Sequence, residues 1–462
     1  MNRRLFVLSG SAAALAACSS SSAPNVPSGA ASSTLVRQEV TEFSANAALV
    51  KAFRDGVKAM MNFADITDTR SWQFWHNSHW MATGTPPASM AAVWNQCPHR
   101  KPYFYAWHRA FLFFFEAALR TASGNPNFAL PYWDYYKHPQ LPDIFAHPLL
   151  ADGTANPLYW PNREGSVVTG LTFEAFDPAL TTFNRDPANA DTFEQVIEGN
   201  PHGHVHDMVG GDMGEVPTAA ADPIFWVHHC NVDRLWAAWI NAGGGRRLPS
   251  SGDPWYNKSF TFNTSGAWTL SVPGVLDTTQ LNYTYSDLTL PVAPPGSIVP
   301  EVAIARSLSG HVQQLTHAQS QVAGAFSLDL RPLQVTIPVT ASQIDAAAVL
   351  ILDGAQLTGQ GNFSGYSYNL YANLPSGAVP ENEEIDFNLG QLGTFAFSIE
   401  SMNAVGGNVQ ITYPIGRVIA QQLSAGLAPS TNVTITFIPF GDPNNDAATT
   451  PMMSFRQLLL QG

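Results

Sequence analysis

Histidines set into strongly apolar, aromatic sequence constrain this chain more than any other feature. One run reads Asp222-Pro223-Ile224-Phe225-Trp226-Val227-His228-His229-Cys230-Asn231-Val232-Asp233-Arg234. Upstream lie Pro201-His202-Gly203-His204-Val205-His206, then Cys97-Pro98-His99 and Trp107-His108-Arg109. Seven of the 13 histidines fall in these four stretches, so a fold that buries the aromatic residues must bury imidazoles with them. Burying a polar ring without a partner is costly. The fold must therefore give these rings backbone partners or a metal. For His76, His204 and His228 taken singly, a core histidine bonded to backbone is sufficient explanation.

Apolar spacing places most of them on helices. Residues Val36, Val40, Phe43, Ala47, Val50, Phe53, Val57 and Met60 recur every three or four positions, predicting helix over 35–61. A second helix is expected over 70–81, carrying His76 and His79. A third, over 102–121, has a broad aromatic face suited to burial. Helices over 193–208 and 223–241 complete the set, and Gly243-Gly244-Gly245 stops the last. Beyond a Pro-rich linker the period changes to two: Leu333, Val335, Ile337 and Val339 alternate with other residues, as do Val433, Ile435 and Phe437. The expected organisation is a mainly α helix bundle over 35–290, a linker at 291–300, and an all-β C-terminal sandwich or barrel over 301–462.

Composition removes several functions. Charged residues make up 12% of the chain and the formal net charge is −13, which leaves no basic surface for nucleic acid. Three cysteines, Cys18, Cys97 and Cys230, cannot build a disulfide framework. The N-terminal Arg3-Arg4 and the short apolar stretch after it read as an export signal over 1–18. Leu15-Ala16-Ala17-Cys18 resembles a lipobox, so the expectation is a periplasmic-side lipoprotein attached to the membrane through Cys18. Residues 19–34 would form a flexible tether.

His202 and His206, four apart, share one helix face. With a third histidine from a neighbouring helix they could form a trigonal nitrogen site, and His99 and His108 could belong to a second. Imidazole alone does not choose among copper, zinc, iron and nickel.

The segment from His99 through His108-Arg109 and Leu112 to Glu116 resembles the first copper signature of tyrosinases, catechol oxidases and molluscan haemocyanins. Asp222-Pro223, Phe225-Trp226, His229 and Asp233 resemble the second. The resemblance covers about residues 35–285 and implies two copper ions: one held by His79, His99 and His108, the other by His202, His206 and His229, with His228 a neighbour that does not bind. It implies a thioether from Cys97 to His99. Asp233 is a candidate to orient an imidazole, with an ion pair to Arg37 as the alternative. The family's asparagine after the first histidine of the second site is replaced here by Gly203. Glu198 matches its water-orienting glutamate, Asp207 is an alternative proton acceptor, and Val216 resembles the gate over the second copper. Tyr283-Thr284-Tyr285 resembles the tyrosine pair that closes the core.

The activity implied is copper-dependent oxidation of o-diphenols to o-quinones with dioxygen, monophenol hydroxylation being in doubt without the asparagine. An o-aminophenol oxidase, a haemocyanin-like oxygen carrier and a zinc protein are the alternatives. A phenol and dioxygen are the expected small-molecule partners, and a copper chaperone is a candidate protein partner. In latent relatives the C-terminal domain lays a side chain into the copper pocket; here Phe363 or Tyr366 is the expected plug.

Overall fold

A computed structural model describes residues 34–293, apart from 162, 164, 169–170 and 185–191, together with 319–322, 324–339, 348–358, 367–374, 388–404, 408–424, 431–440 and 451–461. The expected export signal, the expected tether and both expected plug residues, Phe363 and Tyr366, lie outside these residues. No helix among them is long and apolar enough to cross a membrane.

The first part is helical: α1 (Val40–Ser44), α2 (Ala47–Met61), α3 (Trp72–His79), α4 (Phe104–Ser123), α5 (Asp143–Ala146), α6 (Phe193–Ile197), α7 (His204–Val209), α8 (Val216–Ala219) and α9 (Ile224–Asn241). Between α6 and α7 the chain makes a wide turn, Glu198–Gly203, broken by the extended backbone of Asn200. The helix expected over 193–208 is therefore two short helices joined by this turn. Helix α4 is buried along 17 consecutive residues, from Phe104 to Arg120, because aromatic residues occupy its whole circumference rather than one stripe.

The helix expected over 35–61 begins differently. Leu35–Arg37 forms strand β1, paired in parallel with Tyr283–Tyr285. Tertiary pairing overrides the helical spacing there. The pairing delivers Arg37 into a fully buried ion network. Its Nε donates to Glu116 at 2.8 Å and its Nη1 to Asp233 at 3.4 Å, while Arg109 donates to Asp233 at 2.5 Å. The Tyr283 and Tyr285 hydroxyls donate to the same Asp233 oxygen at 2.6 and 2.5 Å. Burial opposes ionisation of Asp233, but Arg109 and Arg37 hold its carboxyl below the usual range. Asp233 is thus a structural ion-pair hub and makes no hydrogen bond to a cluster histidine among the described residues.

The C-terminal part is sheet-rich. Leu333–Pro338 pairs antiparallel with Asn432–Phe440, setting Leu333, Val335 and Ile337 opposite Phe437, Ile435 and Val433. These strands belong to a five-stranded sheet that shares one apolar core with two three-stranded sheets. The sheet-rich part of the expectation holds, but an all-β part or a closed barrel needs correction. No sheet closes on itself among the described residues, and two helices interrupt the strands: α10 (Thr394–Asn403) and α11 (Gly416–Ser424). In α10, Phe395 and Ile399 are four apart and share a helix face. Both join the core of the helical part, whereas Phe397 packs on the sheet core.

Removing the cation at the centre of the buried network leaves two carboxylates short of compensation. Arg37→Ala should lower the unfolding free energy by roughly 3–5 kcal/mol, measured by denaturant titration, whereas Lys51→Ala, which breaks an exposed ion pair, should change it by less than about 1 kcal/mol.

Candidate metal centre

Four helices, the wide turn and one loop bring the histidines together. His79 ends α3, His108 lies one turn into α4, and His229 lies in the second turn of α9. His202 and His206 straddle the junction between the wide turn and α7, so they share a face even though the chain between them is not one regular helix. His99 comes from the loop before α4. The six rings are at most 3% exposed.

They form two groups. In the first, the ring centroids of His79, His99 and His108 lie 5.2, 6.0 and 6.0 Å apart. In the second, His202, His206 and His229 lie 4.8, 5.0 and 5.5 Å apart. The groups face each other: His108 stacks on His229 at 4.5 Å, and His99 lies 6.0 Å from His202. Phe104 and Phe225 fill the space around them, Phe104 at 4.4 Å from His108 and 4.7 Å from His202, Phe225 at 4.9 Å from His79 and 4.1 Å from His229.

Four rings are oriented by backbone carbonyls. Nδ1 of His108 is 2.7 Å from the Phe104 carbonyl and Nδ1 of His202 is 3.1 Å from that of Glu198. Nδ1 of His79 is 3.2 Å from the Val216 carbonyl and Nδ1 of His206 is 2.7 Å from that of Met213. A carbonyl can only accept, so each Nδ1 carries the proton and each Nε2 presents a lone pair. Nε2 of His79 and of His202 are buried and without a hydrogen-bond partner among the described residues. Burial pushes both imidazoles down to about 3 and the others well below the usual histidine range. Neutral rings with carbonyl-fixed tautomers are donors that a soft or borderline metal ion takes; Nδ1 of His99 and of His229 has no hydrogen-bond partner among the described residues.

The other expected residues separate clearly. Both nitrogens of His76 have partners, Gln73 and the Pro217 carbonyl, which makes it a core histidine. His204 is buried outside both groups. His228 is different: its donor atom falls within the second group, and neither ring nitrogen has a partner among the described residues. The sulfur of Cys97 is 3.5 Å from Nε2 of His99 and 3.4 Å from Nε2 of His108. It therefore stands inside the first donor set rather than against His99 alone. Glu198 accepts a hydrogen bond from the Arg100 backbone amide. Val216 contributes its backbone, the carbonyl to His79 and the amide to Ser398 at 3.2 Å. A Cβ on Gly203 would stand 3.3 Å from the Glu198 carbonyl, a tight approach, and 3.7 Å from the Phe395 ring, an ordinary contact.

Phe395 is the site residue that sequence reasoning missed. Its ring lies parallel to His206 at 3.9 Å and 7°, and edge-on to His202 at 5.4 Å and to His99 at 5.7 Å. The helical pair Phe395 and Ile399 was the signal available. Asp207 does not face solvent or open space: it is 3% exposed, accepts from the Phe395 amide at 2.9 Å and the Thr394 hydroxyl at 3.2 Å, and is raised by burial to about 7.

Comparison with known proteins agrees with this geometry. The family model described as the common central domain of tyrosinase matches residues 63–171 and 161–242. Tyrosinase HcTyr1 of Hahella sp. (strain CCB-MM4) is 29% identical over 295 residues, 52% of this chain and 60% of that protein. The chloroplastic polyphenol oxidase of Malus domestica is 30% identical over 236 residues, 42% of this chain and 39% of that one. The chain thus spans less than two thirds of these relatives' lengths. The structure of latent apple tyrosinase superposes with a TM-score of 0.57 at 20% identity, covering 94% of this chain and 98% of that one. That of recombinant latent aurone synthase gives 0.54 at 17%, covering 94% and 90%. At these identities the superpositions establish a shared fold.

Metal counting separates the rings. After copper loading, His206→Gln should leave about one ion per chain fewer than the unaltered protein, because it removes an oriented donor. His228→Gln should leave the count unchanged, as elemental analysis of the desalted protein would show.

Proposed function

The chain belongs to the tyrosinase and polyphenol oxidase family, and from that premise we infer a copper-dependent oxidase that converts o-diphenols to o-quinones as dioxygen is reduced to water. The observation that carries this reading is the pair of facing three-histidine groups, with stacked rings 4.5 Å apart at their closest. His79, His99 and His108 would hold one copper ion, and His202, His206 and His229 the other. Bound copper supplies dioxygen activation and the redox chemistry.

The protein supplies the rest. Carbonyls of Phe104, Glu198, Met213 and Val216 fix the ring orientations. Phe104, Phe225 and the core around them exclude water. Two features favour diphenols over monophenols. Gly203 brings no side chain to help remove a phenolic proton, and the Asp207 carboxylate is engaged with α10. Cys97 stands within reach of the His99 ring for the thioether. The export signal and Cys18 support a lipoprotein on the periplasmic side.

The position of Phe395 against His206, His202 and His99 supports a latent enzyme in which the C-terminal part occupies the place a phenol ring would take. A closing free energy of about 1.4 kcal/mol suppresses the open form tenfold. Oxygen uptake with a simple catechol should therefore be slow in the full chain, and Phe395→Ala should raise kcat/KM by roughly tenfold or more. A monophenol without priming catechol should give no sustained oxygen uptake in either protein. Prompt monophenol turnover would exclude the diphenolase reading, and equal catechol rates in the two proteins would exclude the latent one.

A further inference from the structure

Helix α10 starts without a cap of its own. Its N-cap residue is Gly393, which has no side chain to satisfy the first amides. The acceptor comes from elsewhere in the fold: Asp207 Oδ1 takes the Phe395 amide at 2.9 Å and the Thr394 hydroxyl at 3.2 Å. The fit is close. A Cβ on Gly393 would lie 2.0 Å from Asp207 Oδ2 and 2.3 Å from its Cγ, so the glycine is what admits the carboxylate. Asp207 is 3% exposed and has no ion-pair partner among the described residues. A buried carboxylate is costly, and the start of α10, where the helix dipole favours a negative group, offsets part of that cost.

The amide that Asp207 accepts from belongs to Phe395, and Asp207 directly follows His206, the ring on which Phe395 stacks. Two further ties hold α10 in the same way. Ser398 accepts from the amide of Val216, whose carbonyl orients His79. Glu400 pairs with Arg100, which follows His99, at 2.9 Å. All three ties therefore land beside groups that hold or orient cluster histidines. Only the one at Asp207 sits at the turn that carries the Phe395 ring.

We propose that Asp207 is the positioning residue that keeps the site closed: its carboxylate replaces the missing cap of α10 and so seats Phe395 on His206. This rests on the reading of the two histidine groups as the reaction site. It assigns Asp207 a holding role in the closed protein, in place of the proton-accepting role that its position in the sequence suggests.

Two measurements on the full chain test it: hydrogen–deuterium exchange of the 394–403 amides, made with and without copper, and the dependence of catechol oxidation on catechol concentration. Asp207→Ala removes the acceptor, and loss of a cap should speed exchange in α10 about fivefold; it should also lower KM towards that of Phe395→Ala. Asp207→Asn keeps Oδ1 as an acceptor and asparagine caps as well as aspartate, so both readouts should stay at the unaltered protein's values. Gly393→Ala reaches the same contact from the other side and should behave like Asp207→Ala, which guards against a folding defect peculiar to either variant. The proposal is overturned if α10 stays fully protected in Asp207→Ala and Gly393→Ala, or if Asp207→Asn opens it as far as Asp207→Ala. Should exchange respond as expected while Phe395→Ala leaves turnover unchanged, the cap stands and the latent-oxidase reading fails instead.

Discussion

Hydrogen bonds from imidazole Nδ1 to backbone carbonyls are the constraint on which this structure depends. A buried ring that is free to flip or change tautomer has no defined donor atom, and a metal site needs defined donors. The chain meets the requirement in two ways. His108 and His202 use carbonyls four residues back, at Phe104 and Glu198, so local backbone geometry suffices. His79 and His206 use Val216 and Met213, which lie in one short segment between α7 and α9. That segment therefore orients one histidine of each group, which couples the two halves of the centre through four residues of backbone.

That segment and the adjoining α7 are where the C-terminal part takes hold. Ser398 binds the Val216 amide and Asp207 caps α10, while Phe395 and Ile399 join the core of the helical part. Closure is thus built from the groups that position the histidines, not from a remote contact. The buried network of Arg37, Glu116, Arg109, Asp233, Tyr283 and Tyr285 performs a separate task. It ties the first strand of the helical part to its last one.

Much of this was legible in the sequence, for identifiable reasons. The aromatic helices α4 and α9 announce themselves because burial on all sides leaves few polar positions. Seven histidines stand out by spacing and apolar context; which six form the two groups, His79 among them, is what the family resemblance implies. The strand pairs 333–337 and 433–437 show their period of two. Other features depend on partners distant in sequence. Leu35–Arg37 has helical spacing but forms a strand, because Tyr283–Tyr285 lies 248 residues away along the chain and offers a parallel edge. The wide turn at 198–203 is hidden inside what reads as continuous helix. Phe395 escaped because a helical apolar pair inside a strand-patterned region looks like sheet core. Its neighbour Gly393 has no side chain to reveal that its cap is Asp207, 186 positions upstream. Asp207 reads as a proton acceptor beside His206 for the same reason: the group that buries it belongs to the other end of the chain.

The central claim is that two facing three-histidine groups form one copper centre able to engage dioxygen. The most direct measurement is the near-ultraviolet absorption of copper-loaded Phe395→Ala protein, reduced under argon and then exposed to oxygen. An oxygen-dependent band that disappears on renewed reduction, with about two copper ions per chain, is the predicted result. A spectrum unchanged by oxygen in protein that holds both ions, or a centre that takes up zinc in preference to copper, would contradict it.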